Sequence, residues 1–102
     1  MLAFVAGLLA CSAGAEAARK PVAYTVTIDA ARFSPADLSV KIGDTVIWVN
    51  KDLLAHTATA KGGRFDSKVI QPGKSWHFVA KTPGEFPYTC LFHPMNGTLT
   101  VR

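Results

Sequence analysis

The feature that most limits the fold is a succession of short segments rich in β-branched and aromatic residues, separated by glycine and proline. Residues 22–28 and 37–42 alternate apolar with polar side chains, as strands with one buried face do. Residues 45–50 are apolar on both faces, which predicts a central strand. No segment after the first 17 residues has the 3.6-residue period of an amphipathic helix.

The second half of the chain continues this pattern in four shorter segments, residues 65–70, 75–80, 86–89 and 98–101. Turn-forming residues separate them, among them Pro72, Gly73, Pro83 and Gly84. About seven or eight short strands with such turns predict an all-β fold, a Greek-key antiparallel sandwich or barrel. At 102 residues the chain has room for one domain, expected over residues 22–102.

Residues 1–17 have the pattern of a secretory signal peptide. An apolar run over residues 2–10 is too short to cross a bilayer as a helix, and Ala-x-Ala patterns end at Ala15 and Ala17. The basic residues that usually begin a leader are missing. The run that ends in Cys11 also resembles a bacterial lipoprotein signal, so Cys11 is either a lipid anchor or an ordinary residue of a removed leader. We expect an exported, periplasmic protein with no transmembrane span once mature.

Removal of this leader leaves Cys90 as the remaining cysteine, and a single cysteine cannot form an internal disulfide. It is then a free thiol, an intermolecular bridge or a metal ligand. About 85 residues without a disulfide is near the size at which a core alone gives marginal stability. The net charge is +4, but the basic residues are scattered singly, which argues against a nucleic-acid groove. The basic surface either steers an acidic partner or is simply solvated.

Residues 88–97 hold the most reactive side chains of the chain. Cys90, His93 and Met95 lie within this stretch, and His56 lies far upstream. Two imidazoles, one thiolate and a weak thioether form the donor set of a blue-copper electron-transfer site. A lone cysteine is more often a small apolar core residue. Structural zinc sites usually contain several thiolates, so the single cysteine favours copper.

Longer motifs surround these residues and carry a family resemblance. Residues 33–52, followed by His56 and Thr57, resemble the first half of a cupredoxin. The segments that resemble its second half are residues 65–66, 72–73 and 83–94. Over about residues 22–102 the chain is similar to the plastocyanin, pseudoazurin and amicyanin branch of the blue copper proteins. Its short ligand loop is most similar to that of amicyanin.

The resemblance implies that one copper ion, alternating between Cu(I) and Cu(II), is bound by His56, Cys90 and His93. Amicyanin-like loops run Cys-x-x-His-x-x-Met, whereas this loop is one residue shorter after its histidine. Met95 is expected as the weak axial ligand, and Asn96 is the alternative, through its amide oxygen. Thr57 stands where relatives often carry an asparagine that braces the ligand loop, so its hydroxyl is expected to support the ligands rather than to bind copper.

The function that the resemblance implies is one-electron transfer between redox proteins of the cell envelope, such as a cytochrome, an oxidoreductase or a dehydrogenase. Leu54, Phe92 and Pro94 are apolar residues on the ligand-bearing loops and are expected to form the docking surface around His93.

No enzymatic activity is expected. Asp52 and Asp66 are the acidic residues nearest the ligands in sequence, and they do not form a convincing acid–base pair. The alternative is a copper-binding, copper-delivery or copper-resistance protein of the envelope with the same fold. The chain has no Met-rich or His-rich tract of the kind that would favour that alternative. A third hypothesis is a sandwich of the same fold that binds zinc or no metal.

Overall fold

The computed structural model describes residues 19–102, so the predicted leader and the lipidation site at Cys11 lie outside the described residues. The described part is all-β apart from a 3-10 helix at Lys61–Gly63, which confirms the predicted fold class. No helix within residues 19–102 has the length and apolar character that crossing a membrane requires. The strands are β1 (Ala23–Asp29), β2 (Arg32–Ser34), β3 (Asp37–Val40), β4 (Thr45–Asn50), β5 (Thr59–Ala60), β6 (Ser75–Val79), β7 (Gly84–Thr89) and β8 (Asn96–Val101).

The strands form two four-stranded sheets, in the orders β2-β1-β4-β6 and β3-β8-β7-β5. The pairs β1–β4 and β3–β8 are parallel, so the sheets are mixed rather than wholly antiparallel. Alternation of side chains has the same period in both kinds of pairing, and therefore could not reveal the direction of a neighbour. Strand β4 lies between β1 and β6, which confirms the prediction of a central strand over residues 45–50.

The hydrophobic core centres on Trp48, whose side chain is fully buried. Its ring centroid lies 5.4 Å from those of Phe65 and Tyr88 and 5.5 Å from that of Trp76. Aromatic pairs at such separations add to the free energy of burial, by about 0.5–1.5 kcal/mol each. His77, between two inward-facing aromatic residues of β6, is exposed as its place in the alternation indicates.

The hairpin of β1 and β2 is not visible in the sequence pattern. Its strands join through Ala30 and Ala31, which have φ values of 51° and 54°. A two-residue turn with positive φ at both positions matches the twist of a hairpin, but such turns are normally recognised by Asn and Gly. Two alanines therefore gave no turn signal in the sequence.

Residues 65–70, predicted as a strand or sheet edge, form isolated bridges instead, between Thr59 and Asp66 and between His56 and Ile70. The ladder is interrupted because the Oγ of Ser67 accepts the Ala58 N–H at 2.7 Å, in place of a backbone carbonyl. The next residue, Lys68, has a left-handed φ of 58°. This segment therefore contacts residues 56–59 through separate hydrogen bonds rather than through a continuous strand ladder.

An ion pair between exposed Arg19 and buried Asp44 connects the first described residues to the sandwich. Asp44 is fully buried and accepts two hydrogen bonds from Arg19, at 2.9 and 3.0 Å. The backbone N–H groups of Val22 and Lys41 donate to the same carboxylate at 2.8 and 2.9 Å. The Arg19 hydrogen bond, and then these N–H groups, outweigh burial and lower the pKa of Asp44 to about 2. A buried charge of this kind is stable only while its partners remain in place.

This ion pair predicts a specific loss of stability in acid. Because folding lowers the pKa of Asp44 from 3.8 to about 2, the stabilisation is complete above the unfolded-state pKa and is lost as the pH falls through the folded-state pKa. We expect the free energy of unfolding, measured by urea denaturation, to fall between pH 4 and pH 2. The fall should be smaller in both Asp44→Asn and Arg19→Met, and in Arg19→Met it should end at a higher pH, because the folded-state pKa of Asp44 is then lowered less. An equal fall in all three proteins would contradict this assignment.

Candidate metal centre

His56, Cys90 and His93, far apart in sequence, lie together at one end of the sandwich. One donor atom from each lies within 4.8 Å of the other two. The Sγ of Cys90 is 3.6 Å from Nδ1 of His56 and 3.8 Å from Nδ1 of His93. His56 and Cys90 are buried, whereas His93 is half-buried. The cluster therefore offers one sulfur and two nitrogens to a common point.

These separations can be tested against the size of a metal ion. First-row metal bonds of about 2.3 Å to sulfur and about 2.0–2.1 Å to nitrogen place the two donor atoms about 3.6–3.8 Å apart, for angles between tetrahedral and trigonal. Both observed sulfur–nitrogen distances fall in that interval. Each sulfur–nitrogen pair therefore has the separation that two donors to one metal ion require.

The segment from Cys90 to Met95, hereafter the ligand loop, connects β7 to β8. The Cys90 N–H donates to the Met95 carbonyl at 3.3 Å, and the Met95 N–H donates to the His93 carbonyl at 2.8 Å. The hairpin register continues below the loop, where Thr89 pairs with Asn96. The loop is thus closed at its base by strand pairing and tightened inside by its own backbone.

His56 is held from the backbone and from its ring. Its N–H and carbonyl pair with the carbonyl and N–H of Ile70, at 3.2 and 2.8 Å. Its Nε2 lies 2.8 Å from Oδ2 of Asp52. An ionised carboxylate can only accept, so Nε2 donates a proton to it, and Nδ1 is the ring atom that faces the cluster. Carboxylates often orient metal-binding histidines in this way.

Asp52 also joins His56 to the strained hairpin turn. Its carboxylate accepts the N–H groups of Ala30 and Ala31 at 2.8 and 2.9 Å. The Ala31 N–H is the largest cause of the lowered pKa of Asp52, and the contact with His56 acts in the same direction. Sequence reasoning missed this role because Asp52 lies in an irregular loop, and its partners in the β1–β2 turn are more than 20 positions away.

The thiol of Cys90 is held in conditions that favour its thiolate form. Burial opposes ionisation, but the N–H groups of Thr57 and Phe92 donate to Sγ at 3.4 Å each. Together with the two imidazoles they outweigh burial and lower the pKa of Cys90 to about 6. The thiolate is the form of cysteine that binds metals.

Thr57 contacts the ligand loop through its side chain as well. Its Oγ1 accepts the N–H of Leu91, the residue after Cys90, at 2.9 Å. Thr57 is 2% exposed, so little water competes for this bond. One buried residue thus connects the segment that carries His56 with the loop that carries the other two donors.

Met95 and Asn96 lie on opposite sides of the chain. Met95 is 3% exposed and belongs to the buried cluster, whereas Asn96 is exposed where β8 begins. Alternation along β8 then returns Gly97 and Leu99 to the buried side. The thioether therefore lies on the interior side of the chain, and the Asn96 amide on the solvent side.

The residues expected at a docking surface are all exposed. Leu54 is 59% and Phe92 52% exposed, and Pro94 is exposed beside them in the ligand loop. Leu53, which belongs to the same predicted apolar group, is 95% exposed, and Leu91, which sequence reasoning did not include, is 64% exposed. Large apolar side chains exposed in one region are typical of interaction surfaces.

Comparisons with known proteins agree with this fold and site. A family model described as a cupredoxin-like domain matches residues 1–101. Amicyanin-alpha from Methylorubrum extorquens is 28% identical over 116 residues, covering 99% of this chain and 98% of the relative. The structure of the Cu(I) form of an amicyanin mutant superposes with a TM-score of 0.75 at 25% identity, covering 84% of this chain and 88% of that one.

A copper-containing nitrite reductase from Thermus scotoductus also superposes, with a TM-score of 0.74 at 26% identity and 82% of this chain covered. The chain spans only 23% of the length of that enzyme. The chain belongs to the cupredoxin-like domain family. With its cluster of one thiolate and two imidazoles, it has a site able to bind one copper ion.

The contact between Asp52 and His56 predicts an effect on metal affinity. Asp52→Asn removes the charge and leaves one amide oxygen as the acceptor for the two turn N–H groups and Nε2 of His56. The His56 ring then loses its fixed orientation. We expect the Cu(II) dissociation constant, measured by competition with a chelator, to rise about tenfold or more. Asp29→Asn is the matched control, because Asp29 is an exposed carboxylate beside the same turn. Equal losses in both variants would show a general charge effect and contradict the role of this hydrogen bond.

Proposed function

We propose that this protein is a blue copper protein that carries one electron between redox partners and has no catalytic activity. The observation that carries the proposal is the convergence of one cysteine sulfur and two histidine Nδ1 atoms within 4.8 Å. When bound, copper supplies the redox chemistry by alternating between Cu(I) and Cu(II). This donor set is the one that electron-transfer copper sites use.

The ligands that we propose are His56, Cys90 and His93, with Met95 as the weak axial ligand. Sulfur–nitrogen distances of 3.6 and 3.8 Å support the first three. The burial of Met95 beside them, against the exposure of Asn96, favours the thioether over the amide. An unbranched thioether can adapt to a loop that is one residue shorter than the amicyanin pattern.

The part that the chain itself plays is to hold these donors in one arrangement for both oxidation states. Hydrogen bonds from Thr57 and Phe92 fix the sulfur, and Asp52 fixes the ring of His56. Donors held by the fold change little in position when one electron is gained or lost, and a small rearrangement favours fast transfer. Both nearby acids, Asp52 and Asp66, already accept hydrogen bonds from the protein, which supports the absence of acid–base catalysis.

The electron is proposed to leave through His93. His56 is fully buried, whereas His93 is half-buried within the exposed apolar residues of the ligand loop. Leu54, Phe92 and Pro94 form the proposed docking surface for a cytochrome, an oxidoreductase or a dehydrogenase. Apolar side chains around an exposed ligand edge exclude water from the contact and allow close approach.

An acidic partner surface is proposed from the charges near this end. Lys51 is exposed and directly precedes Asp52, and Arg32 is exposed at the end of the turn that Asp52 binds. The side chain of Lys68 is 84% exposed. Basic residues close to a docking surface accelerate encounter with an acidic partner.

We also propose export to the periplasm through the leader pattern of residues 1–17. The apolar run over residues 2–10 and the Ala-x-Ala patterns that end at Ala15 and Ala17 support this location.

Copper binding provides the first test. The protein without residues 1–17 is titrated with Cu(II) and followed by visible absorption and EPR. We expect one ion per chain, an intense thiolate-to-copper band and a narrow copper hyperfine splitting, because the sulfur is a direct ligand. The band should vanish in Cys90→Ser and persist in His77→Gln, the matched control in an exposed histidine outside the cluster. A pale, weakly absorbing complex would count against electron transfer and favour the alternative, copper delivery or resistance.

The axial ligand is tested by a second pair of variants. Met95→Leu keeps the volume of the side chain but removes a donor that favours Cu(II), so we expect the reduction potential to rise. At about 59 mV per tenfold change in the one-electron equilibrium, a few-fold effect is a shift on the order of tens of millivolts. Asn96→Ser should leave the potential unchanged. A shift in Asn96→Ser with none in Met95→Leu would assign the axial position to the amide instead.

A further inference from the structure

A chain of hydrogen bonds leads away from the ligand loop to Asp66. The Leu91 N–H lies 2.9 Å from Oγ1 of Thr57, which lies 3.0 Å from Oγ1 of Thr59. The hydroxyl of Thr59 lies 3.2 Å from Oδ1 of Asp66. Four residues from three separate segments are therefore connected by three consecutive hydrogen bonds.

The two ends of this series, the Leu91 N–H and the Asp66 carboxylate, determine which group donates and which accepts in each hydrogen bond. A backbone N–H can only donate, and an ionised carboxylate can only accept. The pKa of Asp66 is lowered, chiefly by the Lys68 N–H, so the carboxylate is ionised near neutral pH. Each hydroxyl between the ends has one proton. Thr59 must donate to Asp66, and Thr57 must then donate to Thr59 while accepting from Leu91.

The hydroxyl of Thr57 depends on this series of hydrogen bonds for its orientation. Thr57 is 2% exposed, and its proton needs an acceptor within the protein. If Thr59 accepts that proton, a lone pair of Thr57 remains directed at the Leu91 N–H. Without Thr59 the hydroxyl is free to rotate, and the Leu91 N–H loses its fixed acceptor. Aligned chains of this kind are also stronger than isolated pairs.

Asp66, at the far end of these hydrogen bonds, is itself held by further contacts. Oδ1 of Asp66 accepts the Lys68 N–H at 2.9 Å, and Oδ2 lies 3.4 Å from Nζ of Lys68. The Ser67 N–H donates to the Ala58 carbonyl at 3.0 Å, while the Ser67 hydroxyl accepts the Ala58 N–H. The segment around Asp66 is thus fastened to the segment that follows His56 at several points.

We propose that Thr59 and Asp66 are positioning residues of the metal centre, which act through Thr57 to hold the ligand loop beside His56. The proposal rests on the proposed function, because a fixed loop matters most where a metal must keep one geometry in two oxidation states. Neither residue touches the donor cluster. Their effect passes through the Leu91 N–H, next to Cys90.

The test compares Thr59→Val, which keeps the shape of the side chain without its hydroxyl, with Thr59→Ser, which keeps the hydroxyl. In the copper-loaded protein we expect Thr59→Val to release copper to a chelator about threefold faster or more and to alter the EPR hyperfine splitting. Thr59→Ser should match the wild type in both measurements. Asp66→Asn should act in the same direction as Thr59→Val, and the double variant should add little, because both break one chain.

A second readout does not depend on copper. Hydrogen exchange of the Leu91 amide, followed by NMR in the metal-free protein, should be about threefold faster or more in Thr59→Val than in Thr59→Ser. A Thr59→Val protein that keeps the wild-type EPR spectrum, copper release rate and Leu91 exchange would overturn the proposal. If the wild type forms no blue copper site, the proposed function fails, and Leu91 exchange still decides the positioning role: faster exchange in Thr59→Val supports it, and equal exchange overturns it.

Discussion

The metal centre depends on hydrogen bonds that favour the thiolate form of Cys90 in a buried position between two imidazoles. Burial alone would keep the thiol protonated, since a charge in a low-dielectric interior is costly. Two backbone N–H groups, from Thr57 and Phe92, supply the opposing stabilisation at 3.4 Å each. Both donors are in place only if the ligand loop and the segment after His56 are packed together. The rest of the fold can be understood as the means of holding these two segments in register.

Two aspartates help to hold these segments through separate sets of hydrogen bonds. Asp52 accepts from the His56 ring and from the turn at Ala30 and Ala31. Asp66 accepts from Thr59 and from the N–H of Lys68. Ala30, Ala31 and Lys68 are the non-glycine residues with positive φ within residues 19–102. Each of them donates its N–H to one of the two carboxylates. Backbone strain in this protein is therefore located where it positions a carboxylate that supports the site, and the hydrogen bonds offset its cost.

The sequence allowed the strands and the donor chemistry to be predicted because both depend on local information. Apolar residues on both faces identified β4 as central, and the set of one thiol, two imidazoles and a thioether indicated a copper site. The roles of Asp52 and Asp66 were missed, although both residues were noted. Their partners, in the β1–β2 turn for Asp52 and at Thr59 for Asp66, approach only after the two sheets have packed. Parallel pairing of β1 with β4 was missed for a related reason, since pairing direction is decided by chain connections rather than by side-chain period.

The short ligand loop has a consequence for the strand that follows it. With one residue fewer than the amicyanin pattern after His93, the chain returns to strand pairing at Asn96, opposite Thr89. The next pair brings Gly97 against Tyr88, and a Cβ atom on Gly97 would lie 2.4 Å from Cζ of the Tyr88 ring. Glycine is thus required there by the close approach of a core aromatic ring, not by an unusual φ.

The Tyr88 ring also limits the registers that β8 can adopt after the ligand loop. Tyr88 is 2% exposed and packs against Trp48 and Phe33, so it cannot move aside to accept a different register of β8. A slip of β8 by one residue would place Asn96 or Thr98 beneath the ring and would carry Met95 to the solvent side. The aromatic core and the length of the loop therefore act together to keep Met95 on the same side as the three donors. A loop with fewer free dihedral angles also loses less conformational entropy when a metal binds. The shortened loop is consistent with a site that the fold holds ready for its metal.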